Sequence, residues 1–395
     1  MTSGPDLLLT FDFPPMGGGI ARWMAELALG YPPGGLVVSP GAVPGAAESD
    51  ARFHNRIERL AVPATRLKTL RGLILWSRRV TALIAEHSVP FIWCGNVRPA
   101  AYPAKWARDR SGIPYGIMVH GGDLLALRHN YQESRFKRRA AKSLLGSAEV
   151  LVANSRYTHD LACDVLRELG LPERTGRVHV VPLGTEPALF RPGLDPAPLA
   201  DRYGLPPGRW LLTVARLVPH KGIDITIKAL ALLVPGHPDL HYAIVGQGAY
   251  RPALESLARE HGVGDRVHFL ADVSDEDLPL AYALAEVYVG VSRLTARDVE
   301  GFGIALLEAS STGKPVVAGR SGGMPDAVRE GETGLLVDPE SAESVAATIG
   351  ALLGDPARAG TLGAAGRRAV ESFYNWPRVV ADLRAISLTA RSARS

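Results

Sequence analysis

The chain has 395 residues, 46% of them hydrophobic and 21% charged, the composition of a folded globular protein long enough for two cores rather than one. No run of about eighteen apolar residues occurs, which excludes a membrane-spanning helix, and the pI of about 9.1 follows from an Arg-rich composition without implying a nucleic-acid partner. Charge is unevenly placed: residues 1–187 hold 23 Lys and Arg against 16 Asp and Glu, the remainder 21 against 24, so two domains with different partners are expected.

The N-terminus, MTSGPDLLLTFDF, has no basic n-region and only a short apolar run, so no secretory signal is expected there. DLLLTFDF instead predicts a buried strand. IARWMAELAL predicts a helix, because Ile20, Trp23, Met24, Leu27 and Ala28 recur at helical spacing. Between them Gly17, Gly18 and Gly19 lead into the helix start, where glycine lets backbone approach an anion and the helix terminus favours negative charge. A plain tight turn explains the same glycines. Arg22 stands three residues beyond Gly19, so the dinucleotide spacing G-x-G-x-x-G is not met.

Further strands are expected at GLVVSP, FIWCG, YGIMVH, EVLVANS and VHVVPLG. YGIMVH ends in His120, followed by Gly121 and Gly122; that place suits a ligand-contacting histidine as well as a structural one. RFKRRAAK sets Arg135, Lys137, Arg138, Arg139 and Lys142 on a helix, as a solvated face or as an attractor of anionic lipid or an anionic acceptor. Asn154 and Ser155 follow the next strand, where they also make a helix N-cap. Cys94 and Cys163 are the only cysteines and have no metal spacing, as expected of a reduced cytosolic enzyme.

After the proline-rich RPGLDPAPLADRYGLPPGR the rhythm restarts, with strands expected at WLLTVARL, HYAIVGQG, RVHFLAD, VYVGVS, KPVVAG and GLLVDP. Six strands on each side of the joint, alternating with helices, predict two doubly wound α/β domains. Such sheets bind ligands at the carboxyl ends of their strands. Arg216 and Lys221 lie beyond WLLTV, and two cations there suit a diphosphate, although two surface cations flanking a helix are common. Gly246 and Gly248 follow the next strand in a phosphate- or base-proximal place, but Arg251 stands where a third glycine would complete the dinucleotide pattern. EGFGIALLEASSTGKPVVAG then holds a helix expected over 303–312, with Glu308 about 12 Å along from Glu300 if the rise is helical throughout. That spacing and their one-sided approach fit two clamps along an elongated ligand better than an acid/base pair. The amides of Phe302 and Gly303 are free at the helix start to donate to it.

Together these residues resemble glycosyltransferase family 4, retaining enzymes of the two-domain GT-B fold, over nearly the whole chain. The glycine-rich first loop, the His120-Gly121 element, the Arg216/Lys221 and Glu300/Glu308 spacings and SGGMPDAVREGETGLLVDP all carry the resemblance. TFDFPPMGGGI, ARLVPHKGID and DVEGFGIALLEASSTGKPVVAGRSGG are similar to the actinobacterial phosphatidylinositol mannosyltransferase subgroup. The resemblance implies an acceptor-binding domain over 1–187, a nucleotide-sugar domain over 188–372 and an interdomain cleft. It also implies a crossing helix over 373–395 that returns to the first domain.

It implies diphosphate contacts from Arg216 and Lys221, ribose contacts from Glu308, and hexose contacts from Glu300 and the Phe302 and Gly303 amides. His120 would contact the sugar near its anomeric centre, with Gly18 and Gly19 near the diphosphate and acceptor. The donor expected is GDP-mannose, with a UDP-hexose as the alternative, and no metal or other cofactor is required. The acceptor expected is a hydroxyl of a glycolipid or saccharide, from a cytoplasmic enzyme with peripheral contact at the inner membrane face. VHGGD departs from the family element by an extra glycine and an acid, which bears on acceptor geometry. More remote readings are a sugar-nucleotide epimerase of the same fold and a non-catalytic nucleotide-sugar-binding protein; the two unmet glycine fingerprints disfavour a dehydrogenase.

Overall fold

Continuous Val, Ile and Leu runs favour parallel strands buried on both faces, and the apolar runs of this chain adopt that state; Leu7, Leu8 and Leu9 are wholly buried. A computed structural model describes residues 4–296 and 298–392. The chain divides into two units, Met1–Leu183 with Trp376–Ser395, and Gly184–Asn375.

The first unit is built on seven parallel strands: β1 Asp6–Leu9, β2 Leu36–Ser39, β3 Arg56–Ile57, β4 Ile92–Cys94, β5 Tyr115–Val119, β6 Val150–Ala153 and β7 Val178–Val180. Their order is β3-β2-β1-β4-β5-β6-β7. The chain runs outward one way from β1 and the other way from β4, so a crevice opens at the carboxyl ends of that pair. β3 is one strand more than the sequence predicts, because two residues show no periodicity. β1 also stops short of the expected DLLLTFDF: the Thr10 hydroxyl donates to the Asp12 carbonyl at 2.7 Å and turns the chain.

The closing helix, Trp376–Ser392, belongs to this unit. Val379, Val380 and Leu383 bury its inner face, and Gly30 admits it, since a Cβ there would stand 2.6 Å from Val380. Arg391 pairs with Asp6, which is 2% exposed at the start of β1.

The second unit holds β8 Arg209–Val214, β9 Leu240–Val245, β10 Val267–Leu270, β11 Val287–Gly290, β12 Val316–Gly319 and β13 Leu335–Val337, the six strands expected. Their order, β10-β9-β8-β11-β12-β13, puts the reversal between β8 and β11. The units divide four residues before the expected boundary at 187 and three after that at 372. The reason is local: the Thr185 amide donates to the Tyr374 carbonyl at 3.0 Å and Thr185 bridges Asn375, which holds both connecting segments to the second unit.

Candidate active site

In the second unit the two loops that leave the reversal point carry the predicted charges. After β8 come Arg216 and a short 3-10 turn, Pro219–Lys221; after β11 comes the loop that ends in Glu300 and the helix Ile304–Ser311. Lys221 Nζ donates to Glu300 Oε2, with the side chains 16% and 22% exposed. Of the two cations expected to suit a diphosphate, Lys221 is engaged with Glu300, while Arg216 is exposed and has no hydrogen-bonded side-chain partner among the described residues. Burial works to raise the Glu300 pKa, yet Lys221, His220 and Arg216 together hold it below the usual carboxylate range. His220, buried beside them, is pushed below the ordinary histidine value by burial first and then by Lys221.

Glu308 lies in different surroundings. It is 8% exposed, and the Tyr282 hydroxyl donates to its Oε2 at 2.5 Å, which offsets part of the cost of burying a carboxylate. Tyr282 is held edge-on to Phe190 and tilted over Tyr288. The Tyr288 hydroxyl, bonded to the Val214 carbonyl at 3.4 Å, feels both Glu308 and Glu300, which add to burial in raising its pKa. Helix geometry leaves the first amides of Ile304–Ser311 without intrahelical acceptors. Among the described residues none accepts from the Phe302 or Gly303 amide. The Phe302 ring is buried, 6.3 Å from Tyr374, so its backbone rather than its side chain is what it offers a ligand. The helix begins one residue later and ends one residue earlier than the sequence predicts.

Gly246 and Gly248 have a packing reason. A Cβ would stand 2.1 Å from the Ala215 carbonyl oxygen at Gly246 and 2.3 Å from that of Leu217 at Gly248. The loop after β9 is thus pressed onto the loop that bears Arg216, and Leu217 donates its amide to Gln247 O at 2.9 Å.

In the first unit the crevice between β1 and β4 gathers Asp12, Asn96 and His120. His120 Nε2 lies 2.6 Å from the Gly95 carbonyl; a carbonyl only accepts, so Nε2 carries hydrogen. Trp23 meets the ring edge-on at 5.1 Å. Burial pushes the Asp12 carboxyl up, opposed by His120 and Lys68 and by Asn96, whose Nδ2 donates at 3.4 Å. Gly18, at φ +115°, precedes the helix Gly19–Gly30, and a Cβ at Gly17 or Gly18 would meet nothing within 4 Å. The space there is open, as an anion-approach loop requires. Ser155 is a plain N-cap, accepting from the Thr158 amide at 3.0 Å.

His220, Tyr282 and Asp12 were not singled out by sequence reading. Tyr282 sits in an apolar run that reads as core, and Asp12 inside FDF reads as strand. His220 had one usable signal, its place between Arg216 and Lys221. Among the described residues no group of three or more His, Cys, Asp or Glu is placed to hold a metal ion.

The Glycosyltransferase Family 4 model matches residues 17–189, and the model for glycosyl transferases group 1 matches residues 204–369. A GDP-mannose-dependent alpha-(1-6)-phosphatidylinositol monomannoside mannosyltransferase of Mycolicibacterium smegmatis is 33% identical over 395 residues, 98% of this chain and 99% of its own. A GDP-mannose-dependent monoacylated alpha-(1-6)-phosphatidylinositol monomannoside mannosyltransferase of Corynebacterium glutamicum is 28% identical, over 94% of each chain. Sucrose-phosphate synthase from Thermosynechococcus elongatus superposes with a TM-score of 0.79 at 24% identity, over 99% of this chain and 100% of that one. Anabaena HepE in complex with UDP and glucose superposes with a TM-score of 0.78 at 22% identity, over 98% and 99%, so both share the fold. The chain belongs to the glycosyltransferases of family 4, as an enzyme of the GT-B fold that transfers a sugar from a nucleotide to a hydroxyl acceptor.

Proposed function

We propose that this enzyme transfers mannose from GDP-mannose, with retention, to a hydroxyl of a phosphatidylinositol mannoside-like glycolipid. The observation that carries the reading is the Lys221–Glu300 pair at the reversal point of the second sheet, beside Arg216 and the Phe302 and Gly303 amides, which have no hydrogen-bond partner among the described residues. The 33% identity to the Mycolicibacterium mannosyltransferase over nearly the full length supports the donor and acceptor. In this proposal Arg216 and Lys221 hold the departing diphosphate, Glu308 the ribose, and Glu300 with the two amides the hexose. His120 contacts the transferring sugar, and the Gly18–Gly19 loop an anionic group. Gly246 and Gly248 act through the Arg216 loop they support.

The bond from the anomeric carbon to the diphosphate oxygen breaks, and the acceptor oxygen bonds to that carbon on the same face. The acceptor's proton passes to the diphosphate. Positive charge fixed beside the leaving oxygen lowers the barrier because the charge there grows as the bond breaks. Lys221→Ala is therefore expected to lower turnover by about 100- to 1,000-fold; turnover within about threefold of the parent would remove Lys221 from the leaving-group role.

The helix Arg135–Ser147 is proposed to meet an anionic membrane, through fewer residues than its composition suggests. Lys137 donates to Asn130 at 2.9 Å, Arg138 to the Glu168 carbonyl and Lys142 to that of Gly170 at 3.3 Å. Arg135 and Arg139 have no side-chain partner among the described residues and flank Phe136, which is 82% exposed.

A further inference from the structure

The segment that follows β11 grips the Lys221 turn at more points than Glu300. A Cβ on Gly222 would stand 2.1 Å from the Val291 carbonyl oxygen, so the two backbones are in contact. The Arg293 amide donates to the His220 carbonyl at 2.8 Å. The Arg293 guanidinium donates through both terminal nitrogens to a single oxygen, Asp224 Oδ2, at 3.0 Å each. The two side chains are 19% and 13% exposed. Asp224 lies in the first turn of the helix Ile223–Leu233, which begins directly after the Lys221–Gly222 turn. One loop thus holds the turn before Lys221 through the His220 carbonyl, after it through Gly222 and Asp224, and at its tip through Glu300.

A largely buried ion pair stabilises a fold little more than apolar side chains of the same volume would. What it adds is geometry. Lysine has four rotatable side-chain bonds, and an ångström of error at a leaving group costs rate, so the base of the side chain has to be held. We propose that Arg293 is a positioning residue: through Asp224 and the His220 carbonyl it sets the backbone from which Lys221 reaches, so that the ammonium passes between Glu300 and the diphosphate on a fixed turn. This rests on the reading of Lys221 as a leaving-group contact. Removing the guanidinium also leaves Asp224, whose Oδ1 has no hydrogen-bond partner among the described residues, as an uncompensated, largely buried carboxylate three residues from Lys221.

The test is a double-mutant cycle on the full chain: Arg293→Ala, Lys221→Ala and both together, with Arg293→Lys as the conservative variant. Affinities for GDP and UDP, and for GMP and UMP, are measured by calorimetry beside thermal unfolding. Arg293→Ala is expected to weaken diphosphate binding about tenfold and monophosphate binding less than twofold. In the Lys221→Ala background it should cost less than about twofold more, and Arg293→Lys should recover part of the loss, leaving a shift of about threefold. A structural role alone would lower the melting temperature and leave the diphosphate-to-monophosphate ratio intact. That result, or a full tenfold further loss without Lys221, overturns the inference. If Arg293→Ala does not fold, the ratio in Arg293→Lys decides, with a shift of about threefold expected and no shift contradicting. Unchanged diphosphate affinity in Lys221→Ala would instead bring down the reading of Lys221, and this inference with it.

Discussion

Two glutamates eight residues apart in sequence end with different partners, one with an ammonium and one with a phenol. The depressed Glu300 value means that its contribution to stability is present above the ordinary 4.5 and lost as pH falls through the lower folded value. Without Lys221 the burial that raises the carboxyl's pKa is opposed only by His220 and Arg216, and the depression shrinks. Lys221→Met should therefore lose melting temperature relative to the parent more at pH 7.5 than at pH 5; an equal deficit at both would contradict the pairing. Tyr282→Phe leaves a buried carboxylate oxygen without this donor. It is expected to cost about 1–3 kcal/mol of stability and to weaken nucleotide-sugar binding several-fold, measured by calorimetry. Arg216, Lys221, Glu300 and Glu308 were legible as candidates because charge at a strand's carboxyl end, or inside an apolar run, is anomalous. Tyr282 and Arg293 were not, because their roles arise from contacts between segments tens of residues apart.

Strand identity was legible from short apolar runs bounded by turn residues, and strand ends were not. Thr10 shows why: a side-chain bond to the next turn ends β1 although the apolar pattern continues. Gly246 and Gly248 teach the converse, since glycines after a strand mark close approach of two backbones as readily as approach of a phosphate. On β9 and β10, His241 Nδ1 and His268 Nε2 lie 3.2 Å apart, with Trp210 stacked on the first ring. Burial lowers both below the ordinary 6.5, with Arg266 further lowering His241, Asp239 opposing it, and His241 lowering His268. Their contribution is complete above pH 6.5 and lost as pH falls through the lower folded values, because the unfolded chain binds more protons there. The melting temperature should fall between pH 7.5 and 5.5, and less steeply in His268→Phe; an identical slope would exclude this pair as the cause.

At the scale of the molecule, each unit opens its crevice where its strand order reverses, β1 against β4 in the first and β8 against β11 in the second. That architecture was legible from the alternation of strands and helices. The three to four residues by which the boundaries moved were not, because Thr185 and Asn375 find each other only in the folded chain. No helix among the described residues is long and apolar enough to cross a membrane, and the proposed lipid contact rests on Arg135, Phe136 and Arg139. Reversing Arg135 and Arg139 to Glu should weaken binding to phosphatidylglycerol vesicles at least tenfold at low salt, with turnover on a soluble acceptor unchanged. Equal sedimentation with the vesicles would move the contact elsewhere. The central claim is tested most directly by incubating the enzyme with phosphatidylinositol monomannoside and GDP-mannose, or UDP-glucose in parallel, and resolving product and linkage by mass spectrometry and NMR. The account predicts an α-linked mannoside from GDP-mannose; transfer from UDP-glucose alone, or a β-linked product, would contradict it.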